Sequence, residues 1–429
     1  MRAWFLLFIL SIGAGGFFAL LVALARTPIV ADFIPPQLFY HWLIGHVDSA
    51  LIIGFLSFLV FIWHRYLGEH RGSYDYILAY LGCFFLFICA LFGLGTAVHN
   101  NYVPTIVHPF FFAGIGLFGA GYALSALRYT PPAVSDFYSK DIFKNILYIS
   151  ILLSVLFPIT FLVSYYKTPQ MEEYYLYYER LYWLPGHIHQ FINASLLIVG
   201  WLLLANLTGF KMPSVFRFVN FLLIPFPVVY FLLQIFVEDS ISPFVKNITT
   251  IGYAVGIGIP TLSYAFYLLL KVAFRKGFYS TILGLSVLMY CLGALMGYMI
   301  VGSDLRIPAH YHGVIASILI TLMGLTFYYL KELRFIREVP SFVRIQPYLY
   351  GAGMFLFVLG LFWAGVYGAP RKTFGTGYIE SLKVYLFMVV MGIGSLLSVV
   401  GGVVFVLFVL SSIIRRHEFE EKKRAQQKN

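Results

Sequence analysis

Charge is scarce in this chain. Only 11% of its 429 residues are Asp, Glu, Lys or Arg, against 60% hydrophobic and 19% aromatic residues, whereas a soluble domain carries about 25% charge. That balance excludes a soluble globular protein. Cysteine is nearly absent: Cys83, Cys89 and Cys291 each lie inside an apolar run, so no paired-cysteine metal site is expected. There is also no C-x-x-C-H motif for attaching haem covalently. A phosphate-binding glycine loop is missing as well, and the glycines of "GLFGAGYAL" and "GAGMFLFVLG" suit close helix packing instead. Without linker, low-complexity block or clear repeat, the economical division is one membrane domain over 1–414 and a charged tail over 415–429.

Long apolar runs are abundant. Stretches of the roughly 20 residues needed to span a bilayer recur at 4–26, 38–63, 76–98, 104–127, 143–165, 183–208, 216–237, 247–270, 278–302, 308–330, 346–368 and 384–414. The expected fold is therefore an all-α integral membrane protein of about twelve helices. With a cytoplasmic N-terminus, the inner segments hold Arg2, "HRYLGEHRG", "RYTPPAVSDFYSKDIFK", "KMPSVFR", "KVAFRKG", "KELRFIREVPSFVR" and the tail. These contain 21 of the 29 Lys and Arg residues, as the positive-inside bias requires. The first run offers small residues in "GAGG" that imitate a signal peptide, but removing it would put the basic tail on the wrong side, so it reads as a retained helix. The net charge of +11 calls for no nucleic acid, since contact with anionic lipid headgroups accounts for it.

Twelve spans suggest a transporter, yet transporters usually carry acids, bases or broken helices at mid-membrane depth. Here carboxylates and lysines are sparse at depth, with Asp48 the main exception. Histidine is the unusual feature. His41 and His46 open the second run, His187 and His189 the sixth, and His310 and His312 the tenth, which by parity places all three sets near the outer end. A lone intramembrane histidine is ordinarily a hydrogen-bonded packing residue, but three sets at one depth suit haem or metal ligation by neutral imidazole. Residues two apart on a helix point about 200° apart, so His310 and His312 would serve different ligands on opposite flanks. His99 and His108 read as capping or loop-packing residues, and His64, His70 and His417 fall in basic inner segments.

"AHYHGVIAS" in the tenth run resembles the H-x-H signature of subunit I of the haem–copper oxidase superfamily. "QLFYHWLIGH" is similar to that family's second helix, "LPGH" to the start of its sixth, "GIPTLSYAF" to its eighth, and "GLFWAGVYGAPRKTF" to the loop that holds haem propionates. The pieces occur in the family's order and cover most of the chain. The resemblance implies that His46 and His312 are the axial ligands of a low-spin haem of b- or a-type. It further implies that His310 holds a second haem with an open face for O2 or NO, and that Arg371 and Lys372 pair with propionates. Asp304 would join the same polar layer, one residue closer to His310 than the family's usual spacing.

The departures from that pattern matter equally. The family's copper is held by one histidine of the sixth helix and a His-His pair of the seventh. Here His187 matches the first, while Ile235 and Phe236 occupy the place of the pair, and one imidazole does not make a copper site. The redox-active tyrosine of the family falls at Phe191, the carboxylate two residues after the sixth-helix histidine at His189, and the proton-feeding lysine of the eighth helix near Tyr264. A non-haem iron on His187 with Glu238 or Asp239 is the other metal arrangement this part of the sequence allows, although those acids more simply solvate a span end. Gln190 and Gln234 read as packing or hydrogen-bonding groups.

Three functional classes remain open from the sequence. One is a respiratory oxidoreductase that binds O2 or NO at the His310 haem, taking electrons from the His46/His312 haem. The second is an electron-transfer or gas-binding protein without a reductase centre. The third is a transporter whose histidines line a pathway. The resemblance implies an electron-donating subunit, cytochrome or quinol as partner, and a bacterial or archaeal inner membrane with both termini cytoplasmic.

Overall fold

The computed structural model describes residues 1–25, 33–69, 74–272, 275–372 and 381–426, with side chains to 415. His70 and the side chain of His417 lie outside the described residues. Among those described, twelve helices are long and apolar enough to cross a membrane. In chain order they are α1 (Arg2–Leu24), α2 (Pro36–Leu67), α3 (Asp75–Phe92), α4 (Pro109–Ser135), α5 (Ile142–Lys167), α6 (Tyr174–Leu207), α7 (Phe216–Phe236), α8 (Pro243–Lys271), α9 (Phe278–Tyr298), α10 (Arg306–Glu332), α11 (Val343–Val366) and α12 (Leu382–Arg415). The last helix continues to Gln426. The expected all-α, twelve-span fold is present.

Burial differs sharply among these helices. The apolar windows of α6, α2 and α10 are 94%, 78% and 78% buried, and the next highest, α11, reaches 56%. The three helices that carry the paired histidines are therefore the three most enclosed.

The chain divides into two compact units, 1–202 with 211–266, and 203–210 with 267–429. No composition change marks this division, and the sequence reading had one domain over 1–414. In the first unit, glycines let helices approach closely. A Cβ on Gly82 of α3 would sit 2.5 Å from the Gly114 carbonyl oxygen of α4, and a Cβ on Gly45 of α2 would sit 2.8 Å from the Phe18 ring of α1. Two helices contain a wide π-helical turn, Asp48–Gly54 in α2 and Gly252–Gly258 in α8. In α8 the turn coincides with glycines that make room for neighbours: Tyr230 Oη would be 1.7 Å from a Cβ at position 252, and the Phe191 ring 2.8 Å from one at 256. Such turns recur at functional sites.

Helices α3 and α4 depart from their expected limits of 76–98 and 104–127. Helix α3 stops at Phe92 because Gly93 takes a left-handed conformation with φ +64°, a common helix stop. A short antiparallel hairpin follows, β1 (Thr96–Val98) paired with β2 (Thr105–Val107). Helix α4 starts at Pro109, a residue suited to a first helical position, and His108 caps it by accepting the Phe110 N–H on Nδ1 at 3.3 Å. The sixth span also begins earlier than 183, at Tyr174, so His187 sits thirteen positions inside α6 instead of at its mouth.

The second unit includes α9 to α12. Gly293 and Gly313 bring α9 against α10, since a Cβ on Gly313 would meet Gly293 Cα at 2.7 Å. Gly353, Gly360 and Gly394 do the same between α11 and α12. Deeper in the α9–α10 seam, Ser286 Oγ lies 3.0 Å from Ser317 Oγ and 2.7 Å from Thr321 Oγ1, all buried. Polar groups in such a setting need partners of this kind.

Candidate functional site

A carbonyl oxygen accepts hydrogen bonds and never donates, so a histidine nitrogen bonded to one must carry the proton. That rule assigns the rings. His46 Nδ1 donates to the Gly15 carbonyl of α1 at 2.9 Å. His310 Nδ1 donates to the Gly293 carbonyl of α9 at 2.7 Å, and His312 Nδ1 to the Pro308 carbonyl of its own helix at 2.7 Å. In each neutral ring Nε2 then holds the lone pair, the arrangement in which a backbone carbonyl orients a metal-ligating imidazole. All three residues are half-buried. His312 packs on Tyr311 and, edge to face, on Phe357 of α11, with centroids 4.7 and 5.0 Å away.

His41 behaves differently. It is buried, with Nδ1 2.8 Å from the Gln37 carbonyl and Nε2 3.1 Å from the Gly95 carbonyl. Both nitrogens face backbone acceptors, and its place is structural, between α2 and the segment leading into β1.

His187 is enclosed by aromatic side chains of the first unit. Its Nδ1–H donates to the Trp183 carbonyl at 2.6 Å, so Nε2 accepts the Tyr102 hydroxyl proton at 2.9 Å. Tyr102 Oη in turn accepts from Tyr253 at 3.2 Å. The Tyr253 ring stacks on His187 at 4.7 Å, and Tyr230 meets it edge-on at 5.7 Å. Gly186 is required here, because a Cβ would lie 2.4 Å from the Tyr102 ring. Burial pushes the Tyr102 hydroxyl above its ordinary pKa, outweighing the bond from Tyr253, which lowers it. The phenol stays protonated and keeps donating. With both nitrogens engaged, His187 offers no lone pair, and the residues around it do not fit a copper ion.

The alternative iron set is no better assembled. Asp239 Oδ1 pairs with Arg180 Nε at 3.0 Å and accepts the Ile241 N–H at 3.1 Å, which closes the turn after α7. His189 is buried beside Phe157, and among the described residues its Nε2 has no hydrogen-bond partner. Among the described residues, no group of three or more His, Cys, Asp and Glu side chains is arranged to hold a metal ion. Asp48 is buried within the π-helical turn of α2, and neither carboxyl oxygen has a hydrogen-bond partner among the described residues.

In the second unit the N-terminal end of α10 is braced by the segment after α11. Leu305 N–H donates to the Ala369 carbonyl at 3.1 Å, and Asp304 bridges to Pro370. This pairing holds Arg371 and Lys372 at the same end of α10 as His310 and His312, with Lys372 at φ +59°. Asp304 lies in the loop before α10 and binds Arg306 through both carboxyl oxygens, the shorter contact being 2.6 Å. Burial raises its carboxyl pKa, but the side-chain bond, backbone N–H and charge of Arg306 outweigh that and leave it below the ordinary value.

The structure thus gives His46, His310 and His312 the same ring tautomer, and gathers His310, His312, Arg371 and Lys372 at one end of one unit. His46 and His187 belong to the other unit. Tyr102, Tyr253, Gly15 and Gly293 were not singled out from the sequence. A carbonyl acceptor leaves no sequence signature, and Tyr102 lies in a loop that only the hairpin brings to α6.

Twelve apolar helices with histidines on the most enclosed ones define an integral membrane protein. No family model matches the chain. It is 51% identical to an uncharacterized protein of Aquifex aeolicus (strain VF5), over 80% of this chain and 88% of that one. The chain belongs to the family of that protein. It is also 28% identical, over 94% of each chain, to an uncharacterized protein of Rickettsia prowazekii (strain Madrid E).

Proposed function

We propose that the protein is a haem-binding membrane oxidoreductase of the respiratory chain, similar to subunit I of the haem–copper oxidases. The observation that carries this reading is the common tautomer of His46, His310 and His312, each with Nδ1–H on a backbone carbonyl. His187 donates through Nδ1 in the same way but takes the Tyr102 proton on Nε2, whereas iron ligation through Nε2 needs the Nδ1–H tautomer that the three rings hold. By that resemblance His46 and His312 would each serve as a low-spin haem ligand, and His310 would hold a second haem. When bound, such groups supply one-electron chemistry and an open iron position for O2 or NO. The chain's own residues orient the imidazoles, and cationic Arg371 and Lys372, held at the same end of α10, would pair with the propionates. Two haems of b- or a-type, an electron-donating subunit, cytochrome or quinol, and a bacterial or archaeal inner membrane with cytoplasmic termini complete the proposal.

A second reading is favoured by His187. Because Tyr102 and Trp183 occupy both its nitrogens, the place of the family's copper is filled by a closed aromatic cluster. That supports electron transfer or gas binding without reductase turnover.

The test is a reduced-minus-oxidised spectrum of the purified protein with and without carbon monoxide, together with iron and copper analysis. Two irons and a CO-sensitive haem are expected; His312→Ala removes the low-spin bands and His310→Ala the CO response. Steady O2 or NO consumption with a reductant separates the first reading from the second. Absence of haem overturns both and restores the transporter.

A further inference from the structure

His310 is held at two points by one helix. The Gly293 carbonyl of α9 takes its Nδ1–H at 2.7 Å. One turn further along α9, at Gly297, an added Cβ would lie 2.6 Å from His310 Nδ1, 2.7 Å from Cε1 and 3.3 Å from Cγ. Those three ring atoms are the nearest neighbours of that Cβ, so the space a side chain would need at position 297 is filled by the imidazole itself. Gly297 lies within α9 and is absent from the positions of positive φ. Its backbone therefore does not require glycine, and the His310 ring does.

We propose that Gly297 is a positioning residue for His310: its bare backbone seats the Nδ1–Cε1 edge of the ring against α9, so that Nε2 is the nitrogen presented for ligation. The proposal deepens the haem reading at His310 and rests on it for the identity of the ligand, but the seat itself is a property of the protein chain. An alanine at 297 brings heavy atoms to 2.6 Å, where about 3.5 to 4.0 Å is the favourable separation, so the ring must swing by about 1 Å. That displacement strains or breaks the bond to Gly293 and re-aims Nε2. Small misplacements of this size are costly to a metal ligand, because the orienting carbonyl fixes both tautomer and direction.

The decisive comparison is Gly297→Ala, His310→Ala and the double variant, purified in full length. In the ferrous protein, Gly297→Ala is expected to shift or abolish the iron–imidazole stretching band in resonance Raman spectra and to weaken the CO response, while the low-spin bands persist. The 15N signal of His310 Nδ1 in histidine-labelled protein moves with it, a readout that needs no haem. Thermal stability supplies a third measure: the double variant regains the stability that Gly297→Ala loses, because the obstructing ring is gone. Gly392→Ala, where a Cβ meets nothing within 4 Å, is the neutral control. An unchanged His310 15N signal in Gly297→Ala, or a double variant no more stable than Gly297→Ala alone, overturns the proposal. A haem-free protein in which the 15N shift and the rescue still appear overturns only the haem reading.

Discussion

Replacing Tyr102 with Phe distinguishes a structural His187 from a metal-binding one. The phenol oxygen makes two bonds in a sealed cluster, donating to His187 Nε2 at 2.9 Å and accepting from Tyr253 at 3.2 Å. Its loss leaves one buried acceptor and one buried donor without partners. Each unsatisfied group costs about 1 to 3 kcal/mol, but the two are neighbours. Tyr253 already stacks on the His187 ring at 4.7 Å, so a small shift lets its hydroxyl reach Nε2 and recover part of the loss. A net destabilisation of about 1 to 3 kcal/mol is the expected outcome. The cycle of Tyr102→Phe, His187→Leu and the double variant should show a coupling of about 0.5 to 3 kcal/mol, the range for residues in direct contact. Thermal unfolding in detergent supplies the comparison, with metal analysis on the same samples. A Tyr102→Phe protein as stable as the parent, or parent protein whose copper is lost in His187→Leu, refutes the structural assignment.

The other expectations concern packing and pH. Gly82→Ala forces α3 from α4, because the new Cβ would lie 2.5 Å from both the Gly114 carbonyl oxygen and the Phe118 N; a loss of about 1 to 3 kcal/mol is expected from overpacking, read as a lower unfolding temperature. Gly116→Ala on the next helix, where a Cβ meets nothing within 4 Å, should leave that temperature unchanged. Although burial raises it, the bonds and charge of Arg306 hold the Asp304 carboxyl below its ordinary value of 3.8. Its contribution to stability is therefore complete above pH 3.8, and is lost as the pH falls through the lower folded value. Acid unfolding monitored by intrinsic fluorescence should show a shallower pH dependence in Asp304→Asn over that interval.

Fold class was legible in the sequence because membrane spans are written in composition and length, which need no tertiary information. Their ends were less legible. Gly93 and Pro109 carry the stop and start of α3 and α4 in local chemistry, but the apolar residues of β1 and β2 read as helix until the hairpin is seen. The start of α6 was missed because "YYLYYERLYW" mixes hydroxyls and charge with its apolar face. For the candidate site, the sequence supplied the histidines and their spacing but not their tautomers. Those depend on which backbone oxygen lies opposite, and Gly15 and Gly293 are distant in sequence from the rings they hold.

The contrast among histidines that look alike in sequence is the main gain from the structure. His41 and His46 lie five residues apart in one helix, yet His41 is closed by two carbonyls and His46 is bonded through Nδ1 alone to Gly15. His187 heads a pattern matching a copper ligand, and Tyr102, from a segment that nothing in the sequence links to α6, supplies the proton that occupies its lone pair. His310 and His312 share one helix, but the first is anchored to α9 and the second to its own turn. A shift of α9 therefore moves the His310 ring while leaving the His312 bond intact. Perturbations of α9 should consequently change the properties of a ligand on His310 before they affect one on His312. If both rings were fixed by α10 alone, a shift of α9 would leave the two equally unaffected.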